Sequence, residues 1–454
     1  MSLLKSIKNK FFPSERLSAF EESQLQLRSE LGRRQSADFY YLIDIVGTCN
    51  LRCPSCPVGY YESSPIKVGL MEPERYRLIL DKIKREHPGE KIFVDLYNWG
   101  EPGLHKNLSD FVKMTKEYGM GVGISSNLNV FPDLKNVIRS EPDYIRVSLS
   151  GFRNEIYQKT HKAGDINLVK SNLYLLRYWI NKLNSSTIVQ VGFHVYKSNF
   201  PDDFDAMRKL CHELNFIFAP VIASLMPAEK AMLQIEDVLV GNDQELIPNL
   251  VVTPKDRYKL YAPLREKHKD CQYRRIRTTI SYDGSVPLCC ATFEGQQIIA
   301  KDFLSVDRQQ LQSRKYQHDF CKKCQSKCLD MTYTDAEPQL INKEAIKVLG
   351  TEYADFLRVW ETPLKLEVLW REGKYSDQEA FDLAFKYEST DLVSAENLYK
   401  EITKVFSRHG ESYFRLGVIS ESRGNIIEAL SYQKVCHIAP DHALYVEAMD
   451  RINA

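Results

Sequence analysis

Between Phe39 and residue 240, six short β-rich runs alternate with amphipathic helical patterns, and that alternation leaves few folds open. The runs are FYYLIDIV, KIFVDLYNW, GVGISS, YIRVSLS, TIVQVGFHV and FIFAPVI. Helical stretches of about 10 to 15 residues between such runs act as crossovers, so the strands are expected to pair in parallel. No dinucleotide fingerprint accompanies them. A complete or partial β/α barrel therefore fits better than an open nucleotide-binding sheet.

The flanks differ in texture. Residues 1–37 read as a helical extension: Leu3, Leu4, Ile7 and Phe11 recur at helical spacing, Pro13 stops the pattern, and a polar Glu/Gln/Arg-rich helix follows. Residues 38–240 carry the barrel pattern, and 241–265 read as a linker. Residues 266–335 form a small module in which RTTISYDGSVPLCC supplies two strand-like runs around the turn pair Asp283-Gly284. Residues 336–454 are polar and helical. There Tyr413, Leu416, Gly417, Gly424, Ala429 and Tyr432 are spaced as in a tetratricopeptide (TPR) helix pair, and Ala395 and Tyr399 precede Ala429 and Tyr432 by 34 and 33 residues. The expected fold is α/β: a partial (β/α)6-type barrel, a small cysteine-rich α+β module, and a C-terminal all-helical, TPR-like domain.

Lys+Arg total 61 and Asp+Glu 60, a formal charge of +1, so no global electrostatic case for nucleic acid exists. No stretch approaches the roughly 18 apolar residues that cross a bilayer, and the start lacks a continuous apolar core and a cleavage site. The expected location is cytoplasmic.

Cysteine placement carries the chemistry. Of 11 cysteines, Cys49, Cys53 and Cys56 form one group, and Cys271, Cys289, Cys290, Cys321, Cys324 and Cys328 a second, while Cys211 and Cys436 stand apart. The first group directly follows the strand run YLIDIVG, where a barrel presents its C-terminal-face loops. Three thiolates at this spacing wrap a loop around one metal cluster, and in a [4Fe-4S] cluster they leave one iron without a protein ligand. A structural zinc site wants a close fourth Cys or His, and none follows.

GTCNLRCPSCPVG, with its CxxxCxxC spacing, resembles the signature of the radical S-adenosylmethionine (radical SAM) enzymes, and NWGEP, Asn98 to Pro102, is similar to their Gly-Gly-Glu-Pro element, with Trp99 in place of the first glycine. The resemblance implies a cluster on Cys49, Cys53 and Cys56 whose open iron chelates S-adenosylmethionine. It further implies that Gly100, Glu101 and Pro102 line the methionine amino group. Ser125, Ser126, Asn127, Ser148 and Ser150 then fall at strand ends that often contact the ribose, although Ser and Asn there are also ordinary caps. His161 lies near a basic carboxylate-binding position of such enzymes, and a surface histidine is the competing reading.

Cys271, Cys289, Cys321 and Cys324 resemble the auxiliary-cluster module called SPASM or, in its one-cluster form, Twitch, which implies a second [4Fe-4S] cluster; a zinc knuckle from the same residues is the alternative. Cys290, adjoining a ligand, is expected to point away from that cluster. Cys290, Cys211 and Cys328 are the candidate hydrogen donors if the reaction is an epimerisation, and buried free cysteine is the bland reading for each. The implied activity is reductive cleavage of S-adenosylmethionine to a 5'-deoxyadenosyl radical, with oxidation, epimerisation or peptide cross-linking as outcomes. Implied partners are a sugar-like or peptide substrate, a flavodoxin or ferredoxin reductant, and a protein or carrier at the C-terminal helices. An iron-sulfur or zinc scaffold with an interaction domain is the non-enzyme alternative.

Overall fold

The computed structural model describes residues 19–60, 69–241, 243–293, 297–357, 360, 381–382, 384–385, 387–388, 392–405 and 409–422. Leu3, Leu4, Ile7, Phe11, Gly424, Ala429, Tyr432 and Cys436 lie outside the described residues. The chain divides into two units, residues 26–353 and a second made of 1–25 with 354–454.

Seven parallel strands form the main sheet of the larger unit: β1 (Phe39–Ile43), β2 (Ile92–Asp95), β3 (Gly121–Ser126), β4 (Tyr144–Leu149), β5 (Ile188–Val195), β6 (Ile217–Ile222) and β7 (Arg277–Ile280). Their order is β6-β5-β4-β3-β2-β1-β7, so the sheet stays open between β6 and β7. All six runs expected from the sequence are present. The seventh strand comes from the cysteine-bearing module: Arg277 to Ile280 pair in register with Tyr40 to Ile43, covering the edge that β1 would otherwise expose.

This changes the expected hairpin around Asp283-Gly284. The turn exists, with Gly284 at φ +85° and its N–H on the Ser281 carbonyl at 2.8 Å. Its arms pair elsewhere, because β8 (Val286–Pro287) runs antiparallel to β9 (Ile298–Ala300) in a separate small sheet. Residues 241–265 also differ from a plain linker. Thr253 and Asp256 form a capping box on the helix Pro254–Tyr261, whose Tyr258 packs against a core of Leu225, Met232, Ile235, Leu250 and Leu329.

Crossover helices cover one face of the sheet. Pro73–Glu86 begins with proline at its first position and buries Tyr76, Ile79, Leu80 and Ile83, the spacing of one helical face. Ile166–Leu183 is capped by Asp165, which accepts the Asn167 N–H, and ends at Asn184 in the left-handed region. Strand residues Ile43, Val94, Val122, Ile124, Val147, Val191 and Phe193 on the covered face are fully buried. The other, inner face is polar and aromatic: Tyr40, Phe93, Asp95, Tyr144, Arg146, Ser148, Gln190 and His194 alternate with them.

The second unit contains the helices Leu392–Val405 and Gly410–Ser422, joined through Ala395, Leu398, Tyr399, Ile402, Leu416 and Ile419. Tyr399 donates to Glu388 at 2.6 Å, and Arg415 pairs with the same buried carboxylate. Among the described residues no helix is long and apolar enough to cross a membrane.

Candidate active site at the strand ends

Cys49, Cys53 and Cys56 lie in the loop after β1, folded by the turn Cys56 N–H to Cys53 carbonyl at 3.1 Å. Arg52 N–H donates to the Lys162 carbonyl at 2.8 Å, tying this loop to the segment after β4. Burial and the neighbouring sulfurs push the Cys49 thiol up to about 12 and Cys53 upward as well. Positive iron would relieve both effects, and an all-thiolate donor set suits an iron-sulfur cluster.

NWGEP is held over the end of β1 by a residue that belongs to neither sequence motif. Asp44 accepts the N–H of Trp99 at 2.9 Å and of Gly100 at 3.1 Å. Gly100 has no room for a side chain, since a Cβ would sit 1.7 Å from the Val46 carbonyl oxygen. Burial raises the Asp44 carboxyl to about 6 against the lowering effect of those amides. An Asp inside an apolar strand run was the available signal.

Glu101 is buried and already engaged. One oxygen accepts Ser126 Oγ at 2.7 Å and Gly103 N–H at 2.9 Å, and the other accepts Asn127 N–H at 2.8 Å. A carboxylate offers about four lone-pair positions, so one remains for an incoming ammonium. Burial pushes the Glu101 carboxyl up to about 7. Asn127 extends the chain: its side-chain amide donates to Asn50 Oδ1 at 3.0 Å and reaches Cys49 Sγ at 3.6 Å. Pro102 is buried at the start of a single 3-10 turn.

The remaining strand-end residues separate by face. Ser125 and Ser148 are on the inner face, whereas Ser126 turns to Glu101. Ser150 is buried and hydrogen-bonded to His161 Nδ1 at 2.9 Å, and it also pairs with Thr160. His161 stacks on Tyr157 with centroids 4.6 Å apart and is 8 % exposed, so it is no surface histidine. Burial lowers its pKa to about 4, which makes it a neutral hydrogen-bonding group at pH 7.

Cys271, Cys289, Cys321 and Cys324 line one cavity together with Tyr273 and Tyr333. Cys271 precedes the helix Gln272–Ile276, and Cys321 and Cys324 share one face of the helix Asp319–Ser326. Arg274 and the buried Lys315 act electrostatically on these thiols, a cationic surround suited to an anionic thiolate cluster. Among the described residues no three Cys, His, Asp or Glu side chains are gathered tightly enough for one metal ion. The four thiols border a space instead.

Cys290 is not among the residues lining that cavity; it meets Arg277 Nη1 at 3.9 Å on the inner-face side, with the Cys289 thiol beside it. The Cys289 thiol and the arginine hold its pKa below the ordinary thiol value. Cys211 is buried in the helix Asp202–Glu213, and Cys328 is buried at the start of Leu329–Tyr333 beside Arg265. Neither joins the strand-end group. Trp99, noted only as a bulkier substitute for glycine, links loop and module: its Nε1 donates to the Thr292 carbonyl at 3.2 Å and its ring meets Phe293 edge-on.

Residues 43–196 match the family model of the radical SAM superfamily, whose members use S-adenosylmethionine and a [4Fe-4S] cluster. A tungsten-containing aldehyde ferredoxin oxidoreductase cofactor-modifying protein from Pyrococcus furiosus is 29% identical over 112 residues, which span 24% of this chain and 30% of the relative. Among solved structures, native anSMEcpe with bound AdoMet aligns with a TM-score of 0.40 at 16% identity, over 67% of this chain and 98% of that one. Streptococcus suis SuiB bound to precursor peptide SuiA aligns with a TM-score of 0.41 at 12% identity, over 72% and 79%.

Proposed function

From the premise of a radical SAM domain over residues 43–196, we propose that this chain reductively cleaves S-adenosylmethionine and uses the resulting radical to abstract a substrate hydrogen, with a second cluster on the module assisting oxidation or positioning. The observation that carries the reading is the contact chain from Glu101 through Asn127 to Cys49, which joins an ammonium-accepting carboxylate to a cluster-loop sulfur. When bound at Cys49, Cys53 and Cys56, the [4Fe-4S] cluster supplies the electron and the coordination that S-adenosylmethionine cleavage needs.

The chain's own residues do the rest. Asp44 fixes the loop backbone, and Gly100 lets that backbone approach closely. Glu101 offers its free lone pair to the methionine ammonium. Ser125, Ser148 and neutral His161 provide hydrogen-bonding groups around the bound nucleoside and carboxylate. Cys271, Cys289, Cys321 and Cys324 hold the auxiliary cluster. We assign the substrate to the sugar or peptide class, the reductant to the flavodoxin or ferredoxin type, and the site of action to the cytoplasm. The C-terminal helices, Leu392–Val405 and Gly410–Ser422, are the candidate contact for a protein or carrier. Cys290 is the candidate hydrogen donor of a second reading, epimerisation, because it stands on the inner-face side outside the module cavity; donation requires its protonated thiol, against which the neighbouring Arg277 acts.

The test is anaerobic reconstitution with iron and sulfide counted per chain and 5'-deoxyadenosine measured after reduction, in the intact protein and in Cys53→Ala. About eight irons, the sum of two four-iron clusters, with product lost in the variant, is the expected result. Zinc without cleavage rejects the radical reading.

A further inference from the structure

Arg146 sits on the inner face of β4, in register with Ser125 on β3 and Gln190 on β5. Its guanidinium is partly exposed, and among the described residues it makes no hydrogen bond and no ion pair. The nearby carboxylate of Asp95 is taken by Tyr144 Oη at 2.6 Å. Room has been left for the arginine: a Cβ on Gly192 of β5 would lie 2.6 Å from Arg146 Nε. Gly123 does the same for Tyr144 and Asp95, so two glycines shape a polar hollow on this face.

A second arginine shares the hollow. Arg277, on the same face, adds a second guanidinium whose Nε is buried without a hydrogen-bond partner. It stacks on Tyr273 at 3.9 Å, with Cys290 as its nearest soft contact. Asp95 is the carboxylate that acts on both arginines. Arg277 has Tyr273 and the Cys290 thiol beside it, so the partly exposed, unbonded Arg146 is the cation of the hollow left open to a ligand.

We propose that the substrate carries an oxyanion, a carboxylate or a phosphate, gripped by Arg146 within this hollow. The planar fork of a guanidinium suits two-point binding of such groups. Arg146 lies four residues before Ser150 along the strand direction, roughly 13 Å at 3.3 Å per residue. The anion therefore lies on the inner face behind the loop that carries Ser150 and His161, level with Ser125 on β3, and it anchors one end of a substrate whose reacting carbon faces the strand-end loops. The placement of that carbon rests on the radical reading; the anion site rests on the hollow itself.

The test uses the reconstituted full chain saturated with S-adenosylmethionine, titrated calorimetrically with inorganic phosphate and, separately, with acetate. Binding of at least one anion is expected, weakened about tenfold or more in Arg146→Gln, as loss of a charge-assisted contact implies. Arg146→Lys should recover part of the affinity, and Arg139→Gln, on an exposed helix, should leave it unchanged. Phosphate preferred over acetate assigns a phosphorylated substrate, and the reverse a carboxylate. Equal affinity in the intact chain and Arg146→Gln, or no binding of either anion, overturns the proposal. So does an anion that displaces S-adenosylmethionine, since Arg146 would then serve the cofactor's carboxylate. Anion binding without 5'-deoxyadenosine formation by the intact chain rejects the radical reading and leaves the anion site standing.

Discussion

Asp44 and Gly100 are held as a pair: the carboxylate just past β1 accepts the glycine N–H at 3.1 Å, and the glycine backbone approaches the Val46 carbonyl so closely that no Cβ fits. One residue supplies the pull and the other the clearance. Glu101 follows immediately in the chain, so the position of its carboxylate depends on both.

Gly100→Ala must therefore displace the loop. Affinity for S-adenosylmethionine should fall at least tenfold, by the ~1.4 kcal/mol that a tenfold change represents, while far-ultraviolet circular dichroism stays near the parent spectrum. Asp44→Asn should act in the same direction, because Trp99 and Gly100 N–H both point at Oδ2, where the variant places either an uncharged oxygen or an NH2 that cannot accept, at a cost of about 1–3 kcal/mol. Equilibrium binding of S-adenosylmethionine to the reconstituted chain measures both.

Asn127→Ala removes the amide that reaches Cys49 Sγ and Asn50. Hydrogen bonds to cluster sulfurs raise a cluster's reduction potential, so the variant's potential should shift to more negative values. A redox titration followed by electron paramagnetic resonance reads this directly. An unchanged potential would assign Asn127 to loop structure alone.

Stability should fall in mild acid through His161. Its ordinary pKa of 6.5 drops to about 4 in the fold because burial disfavours the charged ring. Between those values the unfolded chain binds more protons, so stability rises with pH across that window and is lost as pH falls through it. His194, lowered to about 3 by burial and by Arg146 and His161, adds in the same sense. The upper limit for His161 is roughly 3 kcal/mol. His161→Asn should flatten the pH dependence of the urea midpoint between pH 4 and 6.5.

Cys324→Ala should lower the iron count from about eight toward about four while 5'-deoxyadenosine still forms, since the first three cysteines are untouched. Iron analysis and the product assay on one preparation separate the two sites.

In the C-terminal unit, Arg415→Ala strands the buried Glu388 carboxylate that Tyr399 and Arg415 share. Breaking such a pair costs about 3–5 kcal/mol. Denaturation followed by hydrogen exchange in Leu392–Val405 should show the loss.

The parallel strands were legible because each buries one face and is followed by a patterned helix. The signature cysteines and NWGEP were legible because their residue types and spacing are tied to chemistry. Partnerships across long separations were not. Nothing local to RTTI says that it will pair with β1 more than 230 residues earlier. Asp44 looks like a stray charge in an apolar run until the loop that it holds is in place. Arg146 likewise reads as the polar half of an alternating strand, and only Gly192, two residues past its cross-strand partner on β5, marks the space it occupies.

The seventh strand has a mechanical consequence. Through β7 the cysteine-bearing module shares a hydrogen-bonded sheet with β1, the strand that leads into Cys49. Redox groups seated at the two cysteine sets, as proposed, would be mounted on one frame, not on domains joined by a tether. The gap between them would then be set by strand register, so a transfer rate across it should respond weakly to solvent viscosity and strongly to any insertion that shifts β7 by a residue.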